Sequence, residues 1–180
     1  MTTIIIEPYN EEWPNEFAKI RDYLWPHIKD YAIDIVHIGS TSVTDLAAKP
    51  IIDLDIVIES YDVFPQIVEK LNSLGYEHDG DGGIPARERF KGGPRDGFMD
   101  YNMYVCPKNS RVLLAQILFR DYLRENKEAR DEYAELKRSL AEKYRHDIGA
   151  YVDGKHEFII NTALKALDQR KDSLPYGQSV

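Results

Sequence analysis

The sequence predicts an α+β fold, a β-sheet backed by a helical carboxy-terminal part. Three observations carry that expectation. Strand-length runs rich in branched apolar residues gather in residues 1–109, and helical periodicity fills residues 110–170. The two kinds of segment separate rather than alternate. At 180 residues the chain can bury roughly 70% of its unfolded surface in a single domain. Residues 1–109 read as an α/β core, 110–170 as a helical part packed on it, and 171–180, polar and containing Pro175, as a tail.

Each element has a local cause. Pro14 suits a first helical position, and Phe17, Ile20 and Leu24 recur at helical spacing, so a helix is expected over 15–24, with Pro26 ending or kinking it. Residues 33–38 alternate branched apolar side chains up to Gly39 and predict a strand. A polar turn over 40–45 leads to a second strand at 51–58. Pro65 in a first turn, an apolar side formed by Ile67, Val68, Leu71 and Leu74, and Gly75 as a stop predict a helix over 63–74. Residues 80–97 hold six of the 11 glycines and predict mobile turns around one short strand near 87–90. A strand is expected over 98–105, then helices near 110–125, 127–144 and 154–170.

Composition narrows the function. The 31 acids against 23 bases give a net charge of −8, whereas duplex-binding proteins carry a basic surplus. No apolar run approaches the roughly 18 residues that cross a bilayer, and the amino terminus lacks the basic region of a signal peptide. The single cysteine, Cys106, favours a reducing compartment. A cytoplasmic protein acting on something small, with neither nucleic acid duplex nor membrane as partner, is the expectation.

Two aspartates stand out. Side chains alternate along a strand, so Asp53 and Asp55 share one face, about 6–7 Å apart along the chain. Like charges this close resist burial, and a divalent cation such as Mg²⁺ would remove the conflict. A solvated edge strand would serve equally well. Gly39 and Ser40 close the preceding strand, and 12 residues separate Ser40 from Asp53. A glycine turn followed by the hydroxyls of Ser40, Thr41 and Ser42 suits phosphate, although Gly-Ser is also an ordinary turn. Arg87, Arg89, Lys91 and Arg95 offer phosphate clamps or simply a solvated basic loop, and Lys49 is open in the same way. The charged pattern over 120–145 reads as a solvated helix face, His37 as a packed strand residue, and Trp13 and Trp25 as packing for the first helix.

The Gly-Ser turn followed at this distance by Asp-x-Asp resembles the nucleotidyltransferase superfamily related to DNA polymerase beta. More specifically, Glu7-Pro-Tyr-Asn-Glu-Glu-Trp-Pro14, His37-Ile-Gly-Ser-Thr-Ser-Val43, Leu46-Ala-Ala-Lys-Pro-Ile-Ile-Asp53, Gly83-Ile-Pro85 and Phe119-Arg-Asp-Tyr-Leu-Arg124 resemble the bacterial GrpB family. That family also occurs fused to dephospho-coenzyme A kinase. The resemblance implies a nucleotidyltransferase-like mixed sheet with flanking helices.

It further implies that Gly39 and Ser40 contact a triphosphate and that Asp53 and Asp55 hold Mg²⁺. The third carboxylate such sites use would be Asp100, the acid expected inside the 98–105 strand, with Asn102 and Tyr104 on its face. Many relatives carry histidines near positions 102 and 104, so this chain departs from the pattern there. Two functions follow. One is Mg²⁺-dependent transfer of a nucleoside monophosphate from a nucleoside triphosphate to a small acceptor. The other is a catalytically degenerate binding or scaffold protein near coenzyme A metabolism, with a homo-oligomer compatible with either.

Overall fold

The computed structural model describes residues 3–170 and 173–177. Helix α1 (Trp13–Ile28) leads into β1 (Ala32–Ile38), a short turn of 3-10 helix at Ser40–Ser42, and β2 (Ile52–Ile58). Helix α2 (Phe64–Ser73) precedes β3 (Tyr76–His78), β4 (Glu88–Gly92) and β5 (Tyr101–Pro107). Then come α3 (Arg111–Glu125), α4 (Lys127–Lys143) and α5 (Ile148–Gln169). The strands form a five-stranded sheet ordered β1-β2-β5-β4-β3. Central β2 and β5 run parallel and the other neighbours antiparallel, so the α+β expectation holds with a mixed sheet.

The two faces of the sheet differ because the strands alternate. Ile52, Leu54, Ile56 and Ile58 of β2 pack with Ile20 and Leu24 of α1 and with Ile67 and Leu71 of α2. That is the main core. On the opposite face Val57 and Cys106 are covered by Leu113 and Ile117 of α3. Moving along β2 toward its start, this second face becomes polar at Asp55 and Asp53. Helix α3 therefore seals one end of the face and leaves the other to the helices beyond it. Leu123 of α3 and Tyr133 and Ala134 of α4 bury Val43 and Leu46 from the loop before β2. Phe158 of α5 stacks on Tyr133 with ring centroids 5.0 Å apart. These contacts hold α4 and α5 over the β1–β2 end of the sheet.

Several elements depart from expectation for identifiable reasons. Helix α1 continues through Pro26 to Ile28, because Pro26 is exposed in the last turn and the buried Ile28 anchors that turn to the core. Strand β3 has only three residues, too few for a period to register. Strand β5 starts at Tyr101 rather than 98, which leaves Asp100 ahead of it. Helix α5 starts at Ile148, where the Asp147 side chain accepts the Ala150 N–H at 3.0 Å. Gly154, which reads as a helix start, instead lies within α5 where a Cβ would strike the Leu140 side chain of α4. Of the expected tail, residues 171–172 and 178–180 lie outside the described residues. Between them Tyr176 packs beside Val57, Cys106 and Leu113, and its hydroxyl donates to Asp34 Oδ2 at 3.3 Å. Among the described residues no helix is long and apolar enough to cross a membrane.

A candidate site in the cationic cleft between sheet and helices

Gly39 ends β1 with φ at 71°, a left-handed conformation that glycine adopts without strain. Its neighbour across the sheet is the start of β2, where Ile38 pairs with Asp53. A Cβ on Gly39 would collide with the Asp53 carboxylate. The turn and the aspartate are thus in contact, and only a residue without a side chain permits it.

The turn is held from both sides. Ser42 Oγ donates to the Gly39 carbonyl at 2.6 Å, and Thr41 Oγ1 donates to the Ile51 carbonyl at 3.3 Å while meeting His37 Nε2 at 3.0 Å. From α3, Arg120 donates to the His37 carbonyl at 3.0 Å and Arg124 to the Ser42 carbonyl at 2.7 Å. The start of the supposed solvated face over 120–145 is therefore a clamp on the turn. His37 is a packed strand residue, stacked on Phe17 at 4.6 Å. Burial, with Arg124 and Arg120 adding to it, pushes its pKa down to about 3, so the ring is neutral. The hydroxyls of Thr41 and Ser42 serve the turn itself. Thr41 and Ser40 line the cleft; Ser42 does not.

Asp53 and Asp55 share a face as expected, but their surroundings differ. Asp53 is half-buried and opens on the cleft, with Oδ1 accepting from Asn102 Nδ2 at 2.8 Å. Asp55 is 0% exposed. Its Oδ1 accepts from Arg87 Nη2 at 3.2 Å and Nε at 3.3 Å. Gln116 of α3, with its amide nitrogen turned toward the carboxylate, donates to Asp55 Oδ2 at 2.7 Å and accepts from Arg87 Nη2 at 3.1 Å. The guanidinium carbon lies 3.4 Å from the centroid of the Tyr104 ring. Burial pushes both carboxyls above the usual range, while Arg87 pulls each of them back. Burial likewise raises the pKa of Tyr104, which leaves it no base near neutral pH.

The remaining expected residues scatter. Arg89 is exposed and pairs with Asp79 at 2.5 Å, and Lys91 reaches the same carboxylate at 3.0 Å. Arg95 donates to the Tyr101 carbonyl at 3.1 Å. Asp100 is exposed, precedes β5 and contributes no lining to the cleft; its backbone carbonyl accepts from Ile52 N–H at 2.9 Å. The structure does not bring Asp100, Arg89 or Ser42 into the site. It does bring Gly39, Ser40, Lys49, Asp53 and Asn102 together there, with Arg87 at its wall.

Two lysines complete the cleft that sequence reasoning missed. Lys137 of α4 is buried, donates to the Ala47 carbonyl and lies 4.8 Å from the Tyr133 ring centroid. Lys155 of α5 lies 4.4 Å from the Tyr151 ring centroid. Burial pushes Lys137 down to about 7, with Lys155 and Arg138 adding repulsion. Burial and Lys49 push Lys155 down to about 8, against the pull of Asp53. One signal was available for Lys137: it stands four residues after Tyr133, within the apolar arc of α4. Lys155 likewise stands four residues after the buried Tyr151, but its charged neighbours Lys49 and Asp53 lie about 100 residues earlier in the chain, so the cleft it joins is not legible from α5 alone.

The cleft encloses about 360 Å³, the lower range of small-ligand sites. Among the described residues Asp53 is its one acidic lining side chain, against Lys49, Arg87, Lys137 and Lys155. A magnesium ion bridging Asp53 and Asp55 does not fit this donor set. Both Asp55 oxygens are engaged by Arg87 and Gln116, and Asn102 presents its N–H₂ group to Asp53. Among the described residues no three His, Cys, Asp or Glu side chains gather as metal ligands.

Comparison with known proteins gives the fold a context. A family model described as GrpB protein matches residues 3–165. The UPF0157 protein YqkA of Bacillus subtilis is 36% identical over 152 residues, covering 84% of this chain and 43% of that protein. A dephospho-CoA kinase of Mycolicibacterium paratuberculosis is 27% identical over 188 residues, 89% of this chain and 45% of the kinase. The chain thus spans less than half the length of either relative. The crystal structure of the conserved protein GrpB from Enterococcus faecalis superposes with a TM-score of 0.80 at 31% identity, covering 92% of this chain and 98% of that one. Cid1 in complex with the UTP analogue UMPNPP superposes at 0.55 with 16% identity over 83% of this chain and 48% of Cid1, a likeness of fold.

Proposed function

The chain belongs to the GrpB family, and from that premise we propose that its cleft binds the phosphate groups of a nucleotide. One observation carries this reading: Lys49, Lys137 and Lys155 line the cleft at the Gly39–Ser40 turn, and among the described residues a single carboxylate, Asp53, faces them. Crowded ammonium groups in a partly buried cleft repel one another, and a polyanion relieves that repulsion. Phe119, Tyr151, Val152 and Ile159 add an apolar wall suited to the organic part of the ligand. The nucleotidyltransferase-like fold supports a nucleotide over other phosphate esters. Binding is preferred to transfer onto an acceptor, because Asp55 is committed to Arg87 and Asp100 stands outside the cleft.

Titration calorimetry with pyrophosphate and a nucleoside triphosphate tests the reading through its pH dependence. Anions favour the charged lysines, and Lys137 and Lys155 lose their charge as pH rises through about 7 and about 8. Affinity is therefore expected to fall at least about tenfold between roughly pH 6.5 and roughly pH 9. The same affinity at both values, or none at either, contradicts it.

A further inference from the structure

We infer that Arg87 takes the place of the cation that two aspartates on one strand would otherwise require, so that the phosphate ligand enters the cleft as the free polyanion rather than as a magnesium complex. The inference rests on phosphate binding as proposed above and adds the form in which the ligand is recognised.

The geometry favours it at three points. Arg87 and Asp55 are 8% and 0% exposed, and Arg87 Nη2 stands 3.2 Å from Asp55 Oδ1. A guanidinium does not give up its proton, so Asp55 is neutralised permanently rather than when a metal arrives. Gln116 and Tyr104 fix that arrangement, the amide bridging acid and base and the ring lying against the guanidinium. Arg87 thus stands where an approaching divalent cation would meet a fixed positive charge at short range in a poorly screened site. Finally, Lys49, Lys137 and Lys155 provide the positive charge that magnesium ordinarily brings to a polyphosphate. In a cleft already rich in cations, Asp53 opposes the ligand instead of recruiting it.

Pyrophosphate affinity of the whole protein, measured by calorimetry with EDTA and again with saturating Mg²⁺, tests this directly. Wild type is expected to bind in EDTA and to bind at least about fivefold more weakly in Mg²⁺, which sequesters the free polyanion. Asp53→Asn, close in shape to the native residue, is expected to bind about threefold or more tightly in EDTA, since a repulsive charge is gone. Binding that needs Mg²⁺, or that Asp53→Asn weakens tenfold, overturns the inference while leaving phosphate recognition intact. No binding under either condition overturns the proposed function itself, so the two failures are distinct.

Discussion

Asp55→Ala is expected to lose about 3–5 kcal/mol of folding stability, read as a lowered midpoint in chemical denaturation. The substitution leaves Arg87, 8% exposed, with an uncompensated charge against the second face of the sheet. It also removes the acceptor that Gln116 meets at 2.7 Å. Truncating one partner of a buried pair is harsher than removing both, so the double variant Asp55→Leu with Arg87→Met is expected to recover much of the loss. An Asp55→Ala protein as stable as wild type would mean that the pair is hydrated and the face open.

Lys155→Glu is expected to weaken pyrophosphate binding at least about a hundredfold, because it replaces a cation with an anion beside Asp53. Stability should change little, since Lys155 is half-buried and sits among like charges that its removal relieves. Lys165→Glu is the control. That lysine is exposed on the same helix and lines a different groove, so binding should be unaffected. Equal losses in the two variants would point to general charge attraction rather than to a built cleft.

The stretch from β1 to β2 is legible in the sequence because its physics is local. Branched residues alternate up to Gly39, and Asp53 and Asp55 break the apolar run at a period of two. The mixed character of the sheet follows from the resemblance to the GrpB family rather than from the residue pattern, which gives only a sheet backed by helices. Register is less legible. The parallel pairing that sets Asn102 opposite Asp53 and Tyr104 opposite Asp55 depends on where β5 begins, and Asp100 is lost from the strand by one residue. The target of Arg87 lies 32 residues upstream in sequence, so the choice between a phosphate clamp and a structural partner awaited the fold. The lysines of α4 and α5 are the hardest case. Each is an ordinary member of a charged helix until Tyr133 and Phe158 stack and bring both helices over the glycine turn.

The most direct measurement is a crystal structure of the protein soaked with a nonhydrolysable nucleoside triphosphate in the presence of EDTA. Phosphate oxygens are expected within about 3 Å of the Lys49 and Lys155 ammonium groups beside the Gly39–Ser40 turn, with Arg87 still on Asp55. A triphosphate seated away from that turn, with Lys49 and Lys155 facing only solvent, would contradict phosphate recognition by this cleft.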